Sequence, residues 1–152
     1  MIFKKFKKEH QYILKNWLQD QATRKHLGGI LPLDNFIHYI TTTPATEHVS
    51  FLVFEEKEPI GMVDIEFTPN EQTASMSLLV NPDSRNKGVG KFILGATVQL
   101  SCLQNCTRLD AFIDPDNIPS LTCFQKSGFQ KMSDLPDEDG MFCFSYFFDA
   151  RP

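Results

Sequence analysis

The sequence predicts an α/β (α+β) fold, in which about four helices flank a mixed, mostly antiparallel twisted sheet of about six or seven strands. In some segments apolar and polar residues alternate, in others apolar residues recur with the helical period, and the two kinds are interleaved. The nine prolines are spread along the chain rather than massed in a linker. The length of 152 residues suits one domain, so we expect a single domain over residues 1–152.

The first segments are predicted to be an edge strand and two helices. Lysines at positions 4, 5, 7 and 8 are interspersed with apolar residues, which is more typical of an edge strand leading into a helix than of a binding patch. Apolar spacing predicts a helix from Glu9 to about Gln21, and the LGG at 27–29 predicts the end of helical structure. Another short helix is predicted after Pro32, with one apolar side formed by Phe36, Ile37 and Ile40.

Three strands are predicted next. Residues 51–54 form a compact apolar strand, and the charged EEKE turn joins it to the alternating segment PIGMVDIEF at 59–67. The third strand is TASMSLLV at 73–80, which the turn-forming NPDS closes.

A helix and a strand follow this turn. Apolar positions keep the helical period over residues 88–104, and RLDAFI at 108–113 reads as a strand. The strands before and after the helix are therefore candidates for a parallel pair.

The C-terminal region is predicted to hold one helix and two strands. Asn117 is the expected cap of a short helix with Pro119 in its first turn, and the helix ends at 127–128. Strands are predicted over FQKMSDL (129–135) and MFCFSYFF (141–148), joined by PDEDG.

The charge balance limits the class of partner. Fifteen Lys and Arg residues against 19 Asp and Glu give a net charge of −4, which offers no electrostatic footprint for nucleic acid and better suits a cationic or amine-bearing partner. No apolar run follows the N-terminal lysines, and the longest apolar stretch is too short to span a bilayer. We therefore expect a cytoplasmic protein that binds neither nucleic acid nor membrane.

The four cysteines are expected to be buried, reduced thiols. They form no C-x-x-C pair, which argues against a redox or zinc motif. The histidines do not stand at ligand spacing from them, so we expect no bound metal. Cys123 is predicted to belong to the core rather than to catalysis.

The stretch DSRNKGVGKF at 83–92 is predicted to be an anion site. A helix that begins at a glycine-rich turn presents unpaired backbone N–H groups and the positive end of the helix dipole. Gly88 and Gly90 permit close approach of an anion the size of a pyrophosphate, and Arg85 and Lys87 add charge at its edge. The segment lacks G-K-[ST] and G-x-G-x-x-G, which disfavours nucleotide hydrolysis and hydride transfer. Alone, the pattern also fits an ordinary strand-to-helix turn.

A second motif makes the interpretation more specific. Within NIPSLTCFQKSGF at 117–129, Asn117, Ser120, Phe124, Gly128 and Phe129 resemble the Asn, small residue, aromatic and Gly-Phe of the GCN5-related N-acetyltransferase (GNAT) family. LLVNPDSRNKGVGKFIL at 78–94 is similar to the acyl-CoA signature of that family, and the resemblance covers roughly residues 51–148. It implies an acetyl-CoA-dependent acyltransferase that acetylates a primary amine of a small molecule, a peptide N-terminus or a lysine.

The resemblance also implies where acetyl-CoA would bind. Backbone amides of 85–90 would surround the pyrophosphate, strand 78–80 would pair with the pantetheine amides, and the acyl-CoA cleft would lie between the strands 73–80 and 108–113. The implied cofactor-binding residues are Leu78, Leu79, Val80, Arg85, Asn86, Lys87, Gly88, Val89, Gly90, Lys91, Asn117, Ser120 and Phe124.

Two departures from the family pattern affect the chemistry. Phe124 stands where many members carry a tyrosine that protonates the leaving thiolate, and a phenyl ring cannot donate that proton. The strand 73–80 lacks the glutamate that the family often places there. Asp64 and Glu66, on one face of the preceding strand, are therefore the candidate catalytic bases, although alternating carboxylates also mark a solvated strand face.

The sequence says less about which residues bind the acceptor. Trp17, Asp20 and Arg24 are candidates to line it, and the tryptophan followed by LGG is similar to the ribosomal-protein and aminoglycoside branches of the family, although a core role for the tryptophan is favoured. Tyr39 and Tyr146 are further candidates. The sequence leaves the acceptor, the acyl group and the oligomeric state open.

Two other functions compete with the enzyme. A CoA-binding sensor or interaction module with little activity would explain the missing glutamate and tyrosine. An interaction domain that uses MFCFSYFF would leave the glycine-rich turn unexplained, and this strand is better interpreted as core or as a homodimer contact.

Overall fold

The computed structural model of the chain describes residues 1–26 and 32–149. Within them lie five α-helices and seven strands in an interleaved order. These elements are β1 (Ile2–Lys5), α1 (Gln11–Trp17), α2 (Gln21–His26), α3 (Leu33–Thr42), β2 (His48–Glu55), β3 (Glu58–Phe67), β4 (Thr73–Val80), α4 (Val89–Thr97), β5 (Arg108–Ile113), α5 (Ile118–Lys126), β6 (Gln130–Lys131) and β7 (Phe142–Phe147).

The seven strands form one sheet in the order β1-β2-β3-β4-β5-β7-β6. The pairs β1–β2, β5–β7 and β6–β7 are antiparallel, whereas β4 and β5 are parallel with Thr73 opposite Arg108 and Met76 opposite Ala111. The connection between these parallel strands contains α4, as a crossover requires. The predicted fold class and the predicted parallel pair are confirmed.

The chain groups into two compact units, and β3 and β4 contribute residues to both. The first unit comprises Met1–Asp64 and Leu78–Val89. Its core is made by apolar faces of α1 and α3 and by strand residues such as Leu52 and Leu79. Trp17 is only 3% exposed within this core, which supports the core interpretation over a substrate platform.

The second unit comprises Ile65–Ser77 and Gly90–Pro152. Leu109 and Ala111 of β5 are fully or almost fully buried, while Asp110 between them is only partly so. Phe129 lies with its ring centroid 5.0 Å from that of Phe124 and 5.5 Å from that of Tyr146. This row of rings joins α5 to β7.

The helix predicted over 88–104 is shorter in the structure. It ends at Thr97, and Leu100 has an extended backbone (φ −64°, ψ 137°) before a 3-10 turn at Ser101–Leu103. Leu103 is nevertheless fully buried. The apolar spacing therefore continues past the end of the helix because Leu103 is still buried.

Further differences concern the first predicted helix, the strand after α5 and the cysteines. The helix predicted from Glu9 to about Gln21 is a 3-10 turn followed by α1 and then by the separate α2. The strand predicted at 129–135 is reduced to β6, because the residues that follow, including the apolar Met132 and Leu135, are exposed rather than packed. The four cysteines were expected to be buried, but only Cys106 is: Cys102 is exposed, and Cys123 and Cys143 are partly exposed. All four are free thiols. LGG at 27–29 lies outside the described residues.

No helix in the described part of the chain combines the length and the hydropathy needed to cross a membrane.

Candidate functional site

The loop between β4 and α4 is fastened at its start by Asn81. Its backbone N–H donates to the Ile60 carbonyl at 2.9 Å, and its side-chain Nδ2 donates to the Pro59 carbonyl at 2.9 Å. Its Oδ1 in turn accepts from the Asp83 N–H at 3.0 Å and so caps the 3-10 turn Pro82–Ser84. The chain therefore leaves the sheet along a defined path.

The end of the same loop has two residues in the left-handed region. Asn86 has φ 62° and Gly88 has φ 75°, and both are exposed. Glycine and asparagine are the residues that adopt this conformation at least strain. Val89 then begins α4, whose first turn carries no acidic side chain that would occupy its free N–H groups. The loop and the helix start thus have the chemistry of an anion site.

The two cationic side chains of this loop contact protein groups. Arg85 donates from Nη1 to Asp20 Oδ2 at 2.9 Å and from Nη2 to Thr23 Oγ1 at 2.7 Å. Lys87 donates from Nζ to the Asp83 carbonyl at 3.2 Å. The sequence predicted that both side chains add charge at the edge of the anion, whereas in the structure the Arg85 charge is already paired.

Asp20, a candidate for the acceptor site, is part of this cluster. Its Oδ2 accepts from the backbone N–H of Thr23 at 2.9 Å and from the Thr23 hydroxyl at 3.0 Å, so it caps α2. The Thr23 N–H and then the Arg85 guanidinium hold the pKa of the Asp20 carboxyl below its ordinary value. Arg24 is exposed.

The final residues of β4 alternate between buried and partly exposed side chains. Leu79 is buried in the core of the first unit, while Leu78 and Val80 are partly exposed. β4 pairs with β5 from Thr73 to Met76, and β4 itself continues to Val80. The predicted pantetheine contacts of 78–80 stay a prediction.

The α5 residues of the second motif have distinct environments. Asn117 occupies the cap position without a side-chain capping hydrogen bond, and Ser120 is partly exposed. Phe124 is 2% exposed and belongs to the row of rings. Gly128 has φ 92°, and a Cβ there would lie 3.4 Å from the Tyr146 ring. Cys123 was predicted to belong to the core, but it is only partly buried, and this partial burial raises the pKa of its thiol.

Asp64 and Glu66 differ in burial and in hydrogen bonding, although their spacing places them on one face of β3. Asp64 Oδ1 accepts a hydrogen bond from the Ser50 hydroxyl and lies 2.6 Å from His48 Nε2. The Asp64 side chain is 16% exposed and that of His48 only 4%. Glu66 is exposed. Of the two candidate bases, Asp64 is the one whose carboxylate is held in place.

The sequence analysis did not identify His48 and Ser50 as partners of a candidate site residue. They alternate along β2 in HVSFLVFE, where polar side chains interrupt an otherwise apolar strand, and both are buried. The Tyr39 ring packs edge-on against His48, with centroids 4.8 Å apart. A buried polar residue needs a partner, so this interruption was the available signal.

A second polar cluster in the second unit was also missed. Asp110 Oδ1 accepts from Arg108 Nε at 2.9 Å and from the Ser145 hydroxyl at 2.6 Å. Cys143 Sγ lies 3.8 Å from the same hydroxyl, and burial is the main reason that the pKa of the Cys143 thiol is raised. The antiparallel register places Asp110 directly opposite Ser145.

Solved structures with a similar fold include acetyltransferases. Aminoglycoside acetyltransferase AAC(6')-Ib in complex with paromomycin and acetyl-CoA superposes with a TM-score of 0.80 at 18% identity, covering 95% of this chain and 92% of that one. A spermidine N-acetyltransferase SpeG chimera from Vibrio cholerae and hSSAT also gives 0.80, at 14% identity over 96% and 94% of the two chains.

Sequence comparison identifies the family. The uncharacterized N-acetyltransferase YfmK of Bacillus subtilis (strain 168) is 35% identical over 128 residues, which is 84% of each chain. The sequence model of the acetyltransferase (GNAT) family matches residues 12–129, a span that includes the β4–α4 loop and α5. This chain therefore belongs to the GNAT family, as the two motifs predicted, and is an acetyl-CoA-dependent N-acetyltransferase.

Proposed function

We propose that this protein transfers the acetyl group of acetyl-CoA to a primary amine of a small molecule, a peptide N-terminus or a lysine, and that the backbone of residues 85–90 binds the CoA pyrophosphate. The observation that carries the site assignment is the paired left-handed conformation of Asn86 and Gly88 directly before α4. Successive turns of this kind orient neighbouring N–H groups toward one concave point that suits an anion.

The residues present fit this cofactor. Gly88 is exposed and has no side chain to block a phosphate oxygen, and the Lys91 side chain is exposed in the first turn of α4. Acetyl-CoA would supply an acetyl group activated as a thioester. Residues 78–80 are proposed to pair with the pantetheine amides, and Asn117, Ser120 and Phe124 to line the pantetheine arm.

We propose Asp64 as the general base, with Glu66 as the weaker candidate. Only a neutral amine attacks a thioester, so the acceptor ammonium must lose a proton, directly or through water, to a nearby group. The Ser50 hydroxyl and His48 hold Oδ1 of Asp64, which fixes the carboxylate and leaves Oδ2 to accept the proton. An exposed and unfixed carboxylate such as Glu66 loses entropy when it is positioned.

The proton for the leaving thiolate must come from elsewhere than Phe124. Its ring has no acidic proton, and the neighbouring Cys123 thiol is partly buried in the second unit. We propose that water serves instead, or a second proton of the acceptor nitrogen, which is released after attack and is distinct from the proton that Asp64 accepts. A thiolate with an ordinary pKa of about 8.5 is already a tolerable leaving group.

A small cationic amine is the first acceptor class to test. The net charge of −4 favours a cationic acceptor. Proteins of the same fold include one solved with an aminoglycoside and one named for spermidine. Aminoglycosides and polyamines therefore come before peptides and lysine-bearing proteins in a screen.

We place the protein in the cytoplasm, without nucleic-acid partners. Four free thiols suit a reducing compartment, and the negative net charge disfavours nucleic acid. A homodimer is supported by the exposed Phe112 of β5 and Phe147 of β7. Analytical ultracentrifugation of the purified protein would test the dimer.

The first experiment is titration calorimetry with acetyl-CoA on three proteins. The unchanged protein should bind, and Gly88→Val should lose binding, because valine at φ 75° is strained and its side chain enters the anion site. Gly95→Ala in α4 is the matched control, since a Cβ there meets nothing within 4 Å. Equal affinity of the unchanged protein and Gly88→Val would overturn the site assignment.

Turnover separates the enzyme from the CoA-binding sensor. Acetylated product measured by mass spectrometry, with a stoichiometric rise in free CoA, would establish the amine class. Tight acetyl-CoA binding with no product across aminoglycosides, polyamines, peptides and lysine would favour the sensor.

A further inference from the structure

The side chain of Arg85 links two segments that are far apart in sequence. Its two terminal nitrogens contact Asp20 and Thr23, which are 65 and 62 residues away. The planar fork of a guanidinium suits two acceptors at fixed separation, which a lysine cannot contact in the same way. Thr23 is 2% exposed, whereas the Arg85 and Asp20 side chains are about one-third exposed.

Both ends of this link are fixed to backbone structure. Asp20 and Thr23 are joined by the hydrogen bonds that cap α2. Arg85 is the residue that ends the 3-10 turn Pro82–Ser84, immediately before Asn86. A side chain held at its tip restrains its own backbone. The contacts of the guanidinium therefore fix the backbone position of Arg85, directly before the left-handed residues Asn86 and Gly88.

We infer that Arg85 is a positioning residue, which holds the loop in its binding conformation through Asp20 and Thr23 rather than by touching the CoA pyrophosphate. This inference rests on the proposed function, since it concerns the same loop. The Asp20 carboxylate already pairs the guanidinium charge, so moving the arginine onto an anion would leave that carboxylate unpaired. A loop that binds through backbone N–H groups gains affinity when it is ordered in advance.

Asp20→Asn separates the two possible roles of Arg85. If the guanidinium touched the pyrophosphate, removing its protein partner would leave the affinity for acetyl-CoA unchanged or increase it. If Arg85 positions the loop, Asp20→Asn must weaken binding although Asp20 itself bears a charge that repels anions. Asparagine is as good a helix cap as aspartate, so α2 keeps its start.

The experiment is a double-mutant cycle on the dissociation constant of acetyl-CoA. We expect Asp20→Asn and Arg85→Met each to raise it about tenfold, with little further rise in the double variant, because residues in one network are not additive. Lys15→Gln in α1 is the matched control, since it removes an exposed cation outside the cluster and should change the constant less than about twofold. Additive losses, or unchanged binding by Asp20→Asn, would overturn the inference.

Kinetics distinguish positioning from a purely structural role. The KM for acetyl-CoA should rise in both single variants while kcat at saturating acetyl-CoA stays within about twofold of the unchanged protein. A fall in melting temperature with unchanged KM would show that the cluster only stabilises the fold. If the unchanged protein binds acetyl-CoA and Gly88→Val does not, the proposed site stands even when this cycle fails.

Discussion

Arg85 Nη1 lies 2.9 Å from Asp20 Oδ2, and Thr23 Oγ1 lies 2.7 Å from Nη2 of the same guanidinium. The first residue of the predicted anion loop is therefore joined to the start of α2. We propose that this loop binds the cofactor, and Asp20 is one of the residues that the sequence analysis named as candidates for the acceptor site. The cluster gives one physical connection between them, within the first unit.

The Asp20 carboxylate predicts how stability depends on pH. Its pKa is depressed in the folded protein, so its stabilisation is complete above the unfolded value of about 3.9 and disappears as the pH falls through the folded value. Urea unfolding should show a constant difference in unfolding free energy between the unchanged protein and Asp20→Asn from about pH 7 to about pH 5, and a shrinking one below about pH 4. A difference that stays constant throughout the acid range would contradict the assignment.

The base assignment predicts unequal effects of two carboxylate substitutions. Asp64→Asn should lower kcat by about 100-fold or more, the usual contribution of a general base, whereas Glu66→Gln should change kcat less than about twofold. Ser50→Ala keeps the Asp64 carboxylate but removes a donor to it, so a smaller loss is expected. Melting curves of all three variants separate a catalytic loss from unfolding. A larger effect of Glu66→Gln would reverse the assignment.

Local patterns predicted the central elements well. The ranges of β4 and β5 agree with the predicted 73–80 and 108–113, because alternation and flanking turn residues mark both ends of each strand. The helix start at Val89 follows from the glycine-rich turn. The end of that helix was missed, because Leu100 and Leu103 continue the apolar period although Leu100 is extended and Leu103 lies in a 3-10 turn.

The contacts that define the candidate site were beyond such patterns. Asp64 and His48 are 16 residues apart, and Asp20 and Arg85 are 65 apart, so no helical or strand period connects either pair. The sequence identified Arg85 as a functional candidate from its place in a motif, and Asp64 as a carboxylate on the strand before the one that lacks the family's glutamate. Their hydrogen-bond partners depend on how β2 and α2 pack, which only the tertiary structure specifies.

The burial of Phe124 predicts the outcome of restoring the family's tyrosine. Because Phe124 is 2% exposed and packs in the row of rings, Phe124→Tyr buries an added hydroxyl and should lower the unfolding free energy by roughly 1–3 kcal/mol. Phe112→Tyr is the control, because Phe112 is 50% exposed and its hydroxyl would reach water, with a change within about 0.5 kcal/mol. Urea unfolding measures both. A stable Phe124→Tyr with raised kcat would instead show that this ring tip reaches the reacting thiol.

Trp17 tests the division between core and acceptor site. As the one tryptophan of the sequence and 3% exposed, it should emit at short wavelength in the folded protein and shift to longer wavelength on unfolding. Trp17→Phe should lower the unfolding free energy by about 2 kcal/mol, because the smaller ring leaves a cavity, while the KM for the amine stays within about twofold. Tyr12→Phe is the neutral control, because Tyr12 of α1 is 67% exposed. An amine KM that rises in Trp17→Phe without loss of stability would move the indole from the core to the acceptor site.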